Sequence, residues 1–373
     1  MKKKIIEVST DSNIGGAGKC LINLLKNFDY EKLDVKVILP PDSLLKPEIE
    51  ALGTEVIEVS GIAEKSLDIK SVRRLKKIFK EERPDIVHTH ASMSARIAAR
   101  QVGAKVIYTR HSVFPPPKAL TSFPGKMING FINNHYSDGI IAVAEAAKDN
   151  LTDTGVNPNK IRVILNGVDR LHPVFETEKE KICKRFGAND DEKIISIVAR
   201  LEEVKGHNYF IEAAKMLLDE GYNARFYIAG TGSCEKQLKR KVSDMGLSDR
   251  IIFTGFISDV DNLMRITDIQ VNASYGTEAT SLALLEGMSI GVPAVVSDFG
   301  GNPGVIEDGE NGFVVAKENS AALKKGIEKL LCDSQLYDRM SQKSKEIFDR
   351  KFTSAVMTKN TENYYFEVIE RNV

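Results

Sequence analysis

Four cysteines in 373 residues, Cys20, Cys183, Cys234 and Cys332, stand far apart, with no close pair and no interleaved ligand spacing. That scatter argues against a disulfide framework or a zinc module and fits reduced packing thiols in a cytosolic chain. Net charge is absent as well, because 52 Lys and Arg offset 52 Asp and Glu. With no overall field, nucleic acid is a weak candidate partner and any basic patch is local. No apolar run approaches the roughly 18 residues that a spanning helix needs, and the opening MKKK leads into a short strand, not into the h-region of a signal peptide. The expectation is a soluble, cytoplasmic protein. Internal repeats of about 20 to 50 residues and low-complexity linkers are also missing.

What the chain does have is length and alternation. At roughly 150 residues per domain, 373 residues suggest two domains. Short β-rich runs (KIIEVS, DVKVIL, DIVHTH, AKVIYTR, DGIIAVA) alternate with amphipathic segments, which reads as a parallel sheet covered on both faces. The pattern breaks at KIRVILNGVDRLHPVF, and a fresh series begins with EKIISIVARL. A boundary near residue 170 therefore separates a domain at 1–169 from one at 170–352. In open parallel sheets ligands bind beyond the carboxyl ends of the strands, so the chemistry is expected in a cleft lined by strand-to-helix loops.

TEATSLALLEG, residues 277–287, places Glu278 and Glu286 around an apolar stretch that reads as a helix. Thr280 or Ser281 suits the N-cap, and Gly291 with Pro293 ends the helix. Free amides near Ser281 and Leu282 would favour an anion such as a diphosphate. A glycosidase pair of carboxylates is the rival reading, but eight helical residues separate α-carbons by about 12 Å, too far unless the side chains converge. The blander alternative makes Glu278 a helix-end charge and Glu286 part of a solvated face. VARLEEVKG counts against that alternative, because Arg200 and Lys205 follow a buried strand where positive charge would meet a phosphate. A charge pair at 4 Å is worth about 4 kcal/mol at an effective dielectric of 20, more than the roughly 0.3 to 1 kcal/mol of a helix terminus. Two fixed cations also make a divalent metal unnecessary, so no metal and no cofactor are expected.

Other signals are weaker. NIGGAGKC misses the phosphate-loop spacing, since Cys20 follows Lys19, and Gly15, Gly16 and Gly18 do not fit a dinucleotide fingerprint; what survives is a glycine loop that a ligand can approach closely. His88 and His90 in VHTH share a strand face, but no third ligand is near in sequence, which favours hydrogen-bonded histidines over a metal site. His111 follows the next strand and would overhang the same cleft. In SVRRLKKIFKEER, residues 71–83, the reading is a sheet-packed amphipathic helix, with weak attraction to anionic lipid at a membrane surface as the alternative.

Taken in order, GGAGK, PDIVHTH, YTRH, KIRVILNGVD, VARLEEVKG, IAGTG, RIIFTGF, EATSLALLEGMSIGVPAVVSDFGG and ENGFVV resemble the retaining nucleotide-sugar glycosyltransferases of family four, with the GT-B architecture of two Rossmann-like domains facing across a cleft. The resemblance covers nearly the whole chain. It implies that Arg200 and Lys205 bind the donor diphosphate, Glu278 the donor-sugar hydroxyls and Glu286 the ribose. It also implies that Gly16 lies close to the donor, His111 near the transferred sugar, the backbone at Ser281 and Leu282 at the phosphate or sugar, and Ile257 beside the base. The last helix, about 353–373, is expected to cross back to the first domain. Gly304 departs from the family pattern, which commonly has glutamate after GGxP, and Gly287 replaces a frequent alanine at a helix cost of up to about 1 kcal/mol. The implied partners are a nucleotide-sugar donor, commonly a UDP-sugar, and a hydroxyl acceptor that is a sugar, a glycolipid or a small molecule. A hydrolase or phosphorylase on this fold, and a non-catalytic sugar-nucleotide binder, are the rival readings; specificity is expected in loops such as HSVFPPPKALTSFPGKMING.

Overall fold

Runs such as KKIIEVS and KIISIV are apolar on both strand faces, a pattern stable only where helices cover a sheet on both sides. The computed structural model describes residues 2–62, 66–189 and 191–371. The chain forms two compact units, Met1–Val168 with Ser354–Val373, and Asp169–Thr353.

In the first unit the strands are β1 Lys3–Ser9, β2 Leu33–Leu39, β3 Glu55–Glu58, β4 Ile86–His90, β5 Lys105–Arg110, β6 Gly139–Ala142 and β7 Ile161–Val163. They form one parallel sheet in the order β3-β2-β1-β4-β5-β6-β7. The second unit holds β8 Lys193–Val198, β9 Ala224–Ala229, β10 Ile251–Gly255, β11 Ile269–Asn272, β12 Ala294–Ser297 and β13 Gly312–Val315, ordered β10-β9-β8-β11-β12-β13. In both sheets the strand order reverses direction beside the first strand, at β1/β4 and at β8/β11. Strand-end loops splay apart at such a point and leave room for a ligand.

Among the strands outside the expected series, β3 reads EVIE and β7 reads IRV, both at sheet edges, where one exposed flank tolerates charge and dilutes the apolar signal. The segment KIRVIL, read as an interruption, therefore carries the last strand of the first sheet.

The C-terminal helix Ser354–Glu370 belongs to the first unit. Its Met357, Tyr364, Tyr365 and Val368 are buried among Ile5, Ile107 and Ile141 of that sheet. The Tyr364 hydroxyl accepts from the Ile140 amide at 3.2 Å and donates to the Lys160 carbonyl at 2.9 Å, tying the helix to β6 and to the turn before β7.

Gly287 sits in the helix Leu282–Ile290, buried over β11. A Cβ there would fall 1.3 Å from Nε2 of the buried Gln270. The reading of this glycine as a plain helix cost is thus corrected, because its missing methyl makes room for Gln270. Gly287→Ala is expected to destabilise the second unit by about 1 to 3 kcal/mol in urea unfolding, the opposite of its helix propensity; equal or greater stability would show that Gln270 moves aside freely.

Candidate active site

In the second unit, the loop after β8 carries Arg200, exposed, and then a 3-10 turn, Glu203–Lys205, that leads into the helix His207–Asp219. Gly206 between them has φ 72°, and its Cα packs so closely that a Cβ would meet the Ala273 carbonyl at 2.0 Å. Only glycine combines that left-handed backbone with that contact. Lys205 is thereby pressed against the segment following β11. Its Nζ donates to the Thr277 carbonyl at 2.7 Å and to Glu278 Oε2 at 3.0 Å.

Glu278 is almost fully buried. Besides Lys205, its Oε2 accepts from Asn272 Nδ2 at 3.1 Å and Ser274 Oγ at 3.0 Å. Desolvating a carboxylate costs several kcal/mol, and three donors, one of them cationic, offset it. Gly300, φ 58°, clamps the other side, where a Cβ would lie 2.0 Å from the Glu278 carbonyl. Glu278 precedes the helix instead of lying on it. Ser281 is the N-cap of Leu282–Ile290, its hydroxyl accepting from the Leu284 amide at 3.4 Å. Glu286 is buried too, so the solvated-face reading of this pair does not hold. Ile257, partly buried in the loop after β10, packs against the core cluster that holds Ile182, Tyr227 and Leu263. Thus Arg200, Lys205, Glu278, Ser281, Leu282 and Glu286 all lie on the β8 and β11 strand-end loops or on the helix that follows β11, the reversal point of this sheet.

Gly16 and His111 belong to the first unit. Gly16 opens the helix Gly16–Asn27 and has no neighbour within 4 Å of a Cβ, whereas a Cβ on Gly18 would strike Leu45 at 2.7 Å. A side chain at 18 would press on buried Leu45, while the space at 16 is open. His111 Nε2 lies 2.7 Å from His90 Nδ1, and His90 Nε2 lies 3.1 Å from Glu7 Oε2. Glu7, fully buried in β1, also accepts from the Tyr365 hydroxyl at 2.6 Å and from His88 Nδ1 at 3.0 Å. Burial pushes its carboxyl up, but the charge and hydrogen bonds of His88 and His90 outweigh that and hold it well below the usual range. An ionised carboxylate only accepts, which assigns the hydrogen of His90 to Nε2 and leaves Nδ1 to accept from His111 Nε2–H. Burial holds His111 neutral, its pKa well below 6.5, so its Nδ1 presents a lone pair. A partner hydroxyl could donate to that lone pair.

Glu7, Tyr365, Asn272 and Ser274 were not among the expected site residues. A lone glutamate inside the doubly covered run KKIIEVS was the available signal for Glu7, since a charge there needs buried partners. Among the described residues, Glu7, His88 and His90 also bring ligand atoms within 4.8 Å of one another, so the third ligand missing near VHTH in sequence is supplied from β1. In the hydrogen-bonded arrangement the facing nitrogens of both histidines are engaged with Glu7. The helix Ile69–Glu82 buries Leu75 and Phe79, and its Lys77 pairs with Glu81, as expected for a sheet-packed helix. At Gly304, exposed in the short helix Asn302–Val305, nothing stands within 4 Å of a Cβ, so glutamate would fit there.

The profile of the glycosyl transferases group 1 matches residues 178–347, and that of Glycosyltransferase Family 4 matches residues 14–170. EpsD of Bacillus subtilis strain 168, named as a glycosyltransferase, is 31% identical over 288 residues, covering 74% of each chain. An Escherichia coli UDP-Gal:alpha-D-GlcNAc-diphosphoundecaprenol alpha-1,3-galactosyltransferase is 34% identical over 269 residues, 66% of each. Anabaena HepE, solved with UDP and glucose, superposes with a TM-score of 0.84 at 21% identity over 98% of this chain and 100% of that one.

Two predictions follow from the geometry. Tyr365→Phe should cost the first unit about 1.5 to 3 kcal/mol, the range for a hydrogen bond to a charged group, and Glu7→Ala about 3 to 5 kcal/mol, with urea unfolding as the measurement. Equal stability of both variants and the parent would contradict the buried-carboxylate account. His207, beside Lys205, is buried with no hydrogen-bond partner on either ring nitrogen, and burial first, then Lys205, lowers its pKa to about 4. A lowered folded value favours the neutral ring, so its contribution is intact above pH 6.5 and is lost as pH falls from 6.5 towards 4. His207→Gln should flatten the stability profile of the second unit across that window, and an unchanged slope would refute it.

Proposed function

The chain belongs to the glycosyltransferases of family four type, with the GT-B architecture of two parallel-sheet α/β domains, and on that premise we propose a retaining transfer of sugar from a nucleotide diphosphate donor to a hydroxyl acceptor. The observation that carries this reading is the Lys205–Glu278 pair, largely buried at 3.0 Å, with exposed Arg200 on the same loop as Lys205, at the reversal point of the second sheet. A diphosphate placed there meets two cations and the free amides of the helix that starts at Leu282. Charge on the departing phosphate is stabilised by groups already in position, and that preorganisation lowers the barrier.

Glu278, with one oxygen held by three donors, turns its carboxylate to the hydroxyls of the donor sugar. Glu286 holds the ribose and Ile257 borders the base. In the first unit, the open space at Gly16 and the Nδ1 lone pair of His111 are suited to receive a sugar hydroxyl. The mechanism in this reading is front-face attack, with the leaving phosphate taking the acceptor proton, and it uses no metal because Arg200 and Lys205 neutralise the leaving group. UDP-galactose and the lipid-linked sugar in the name of the E. coli relative, together with the UDP and glucose held by HepE, support a UDP-sugar donor and a glycolipid or polysaccharide product. The lipid-linked acceptor of the E. coli relative also supports an encounter at a membrane face, which in this reading is the inner, cytoplasmic one; no helix among the described residues is long and apolar enough to cross a membrane.

Arg200→Ala should lower transfer at least about tenfold to a hundredfold, read as nucleotide release with a chelator present throughout. Lys205→Ala should do the same, but it also orphans a buried carboxylate, so exposed Arg200 gives the cleaner test. Glu286→Ala should chiefly weaken donor binding in titration calorimetry. Unchanged turnover in both cation variants would remove the phosphate assignment, and product with inverted anomeric configuration would remove the retaining one.

A further inference from the structure

The helix Gly125–His135 is packed inside out. Its inward side is Gly130, Asn129 and Asn133. Asn133 Oδ1 accepts from buried Arg96 at 3.1 Å, Asn129 Nδ2 donates to the Thr154 carbonyl at 2.8 Å, and a Cβ on Gly130 would strike the Gly155 carbonyl at 2.2 Å. The outward side carries Met127, Ile128 and Phe131, which are 60%, 52% and 68% exposed, with Phe123 at 81% just before the helix. At 100° per residue Met127, Ile128 and Phe131 fall within one 100° arc. A helix that merely covers a sheet has the reverse polarity.

With Phe114 and Leu120, these residues make six of the thirteen large apolar side chains exposed among the described residues, all within positions 114–131. That concentration marks an interaction surface and not the scattered exposure normal for a protein exterior. Charge identifies the partner. No Asp or Glu occurs between Asp85 and Asp138, in a chain where 52 of 373 residues are acidic, and Lys118 and Lys126 stand exposed among the apolar side chains. Aromatic and aliphatic side chains flanked by lysine, on a short helix that cannot span a bilayer, match an anionic lipid surface entered to the depth of the headgroups.

We propose that the segment from Phe114 to Phe131 is a membrane-docking surface, which seats the first unit on anionic phospholipid through Phe123, Met127, Ile128 and Phe131. This rests on the reading above that the enzyme meets its acceptor at the inner membrane face, and it places the contact here and not on the basic helix Ile69–Glu82, whose apolar side is spent on the core. Lysines draw the surface to the bilayer and the apolar side chains hold it there.

The test is sedimentation of the full chain, without donor, on vesicles of phosphatidylglycerol with phosphatidylcholine and on vesicles of phosphatidylcholine alone. Binding to the anionic vesicles is expected. It should fall at least about tenfold for Phe123→Ser/Phe131→Ser, and the preference for anionic lipid should vanish for Lys118→Glu/Lys126→Glu. Because the chain has no tryptophan, Phe131→Trp supplies a single conservative reporter, whose emission should shift to the blue only with anionic vesicles. Parent protein that sediments with neither vesicle overturns both this assignment and the peripheral-membrane reading. Equal sedimentation of parent and serine variant overturns this surface alone, as does an unshifted tryptophan. A dimer in light scattering that the serine variant disperses assigns the surface to a second copy and also overturns the proposal.

Discussion

A carboxylate withdrawn from water must be met by donors, and each unit of this chain is organised around one such group. In the first, Glu7 is surrounded by Tyr365, His88 and His90; in the second, Glu278 is surrounded by Lys205, Asn272 and Ser274. The donors to Glu7 come from elements distant in sequence, as does Lys205, whereas Asn272 and Ser274 lie just before Glu278 in the chain. Desolvation is expensive enough that losing any one of them is felt, so each carboxylate acts as a pin through several strand ends. Tyr365 shows the consequence, because its bond to Glu7 fastens the last helix of the chain to the first strand.

Rigidity at the second pin depends on close backbone approach. Gly206 and Gly300 both have positive φ, and each presses the chain against a carbonyl, of Ala273 and of Glu278 itself. With the two loops locked in this way, Lys205 is held in place before any ligand arrives, and little side-chain entropy remains to be lost on binding. Of the two cations proposed to meet the diphosphate, Lys205 is paired with buried Glu278 and Arg200 is exposed.

Burial logic also explains why the helix Gly125–His135 stands apart. Elsewhere apolar faces are spent on the cores of the two sheets. Here the inward face is polar because it must satisfy buried Arg96, whose pKa burial lowers to about 10 and whose guanidinium is met by Asn133, Ser137 and the Tyr136 carbonyl. A helix that uses Asn133 to serve a buried cation and Asn129 to serve the Thr154 carbonyl leaves its apolar side chains outward, where only an external partner can cover them.

Alternation of doubly buried strands with amphipathic segments made two parallel-sheet domains legible in the sequence, because a covered parallel sheet admits few other patterns. Arg200, Lys205, Glu278 and Glu286 were legible as candidates because the spacing of charges around buried strands is itself a local signal. The edge strands β3 and β7 were not, since a half-exposed strand has no apolar pattern to show. Glu7 with His90 and His111, the Asn272 and Ser274 donors to Glu278, the room that Gly287 leaves for Gln270 and the outward face of Gly125–His135 were decided by tertiary structure alone. Asn272 and Ser274 lie only six and four residues from Glu278, but the others are relations between separate elements, and desolvation and close packing act on groups that meet in space, whatever their separation in sequence.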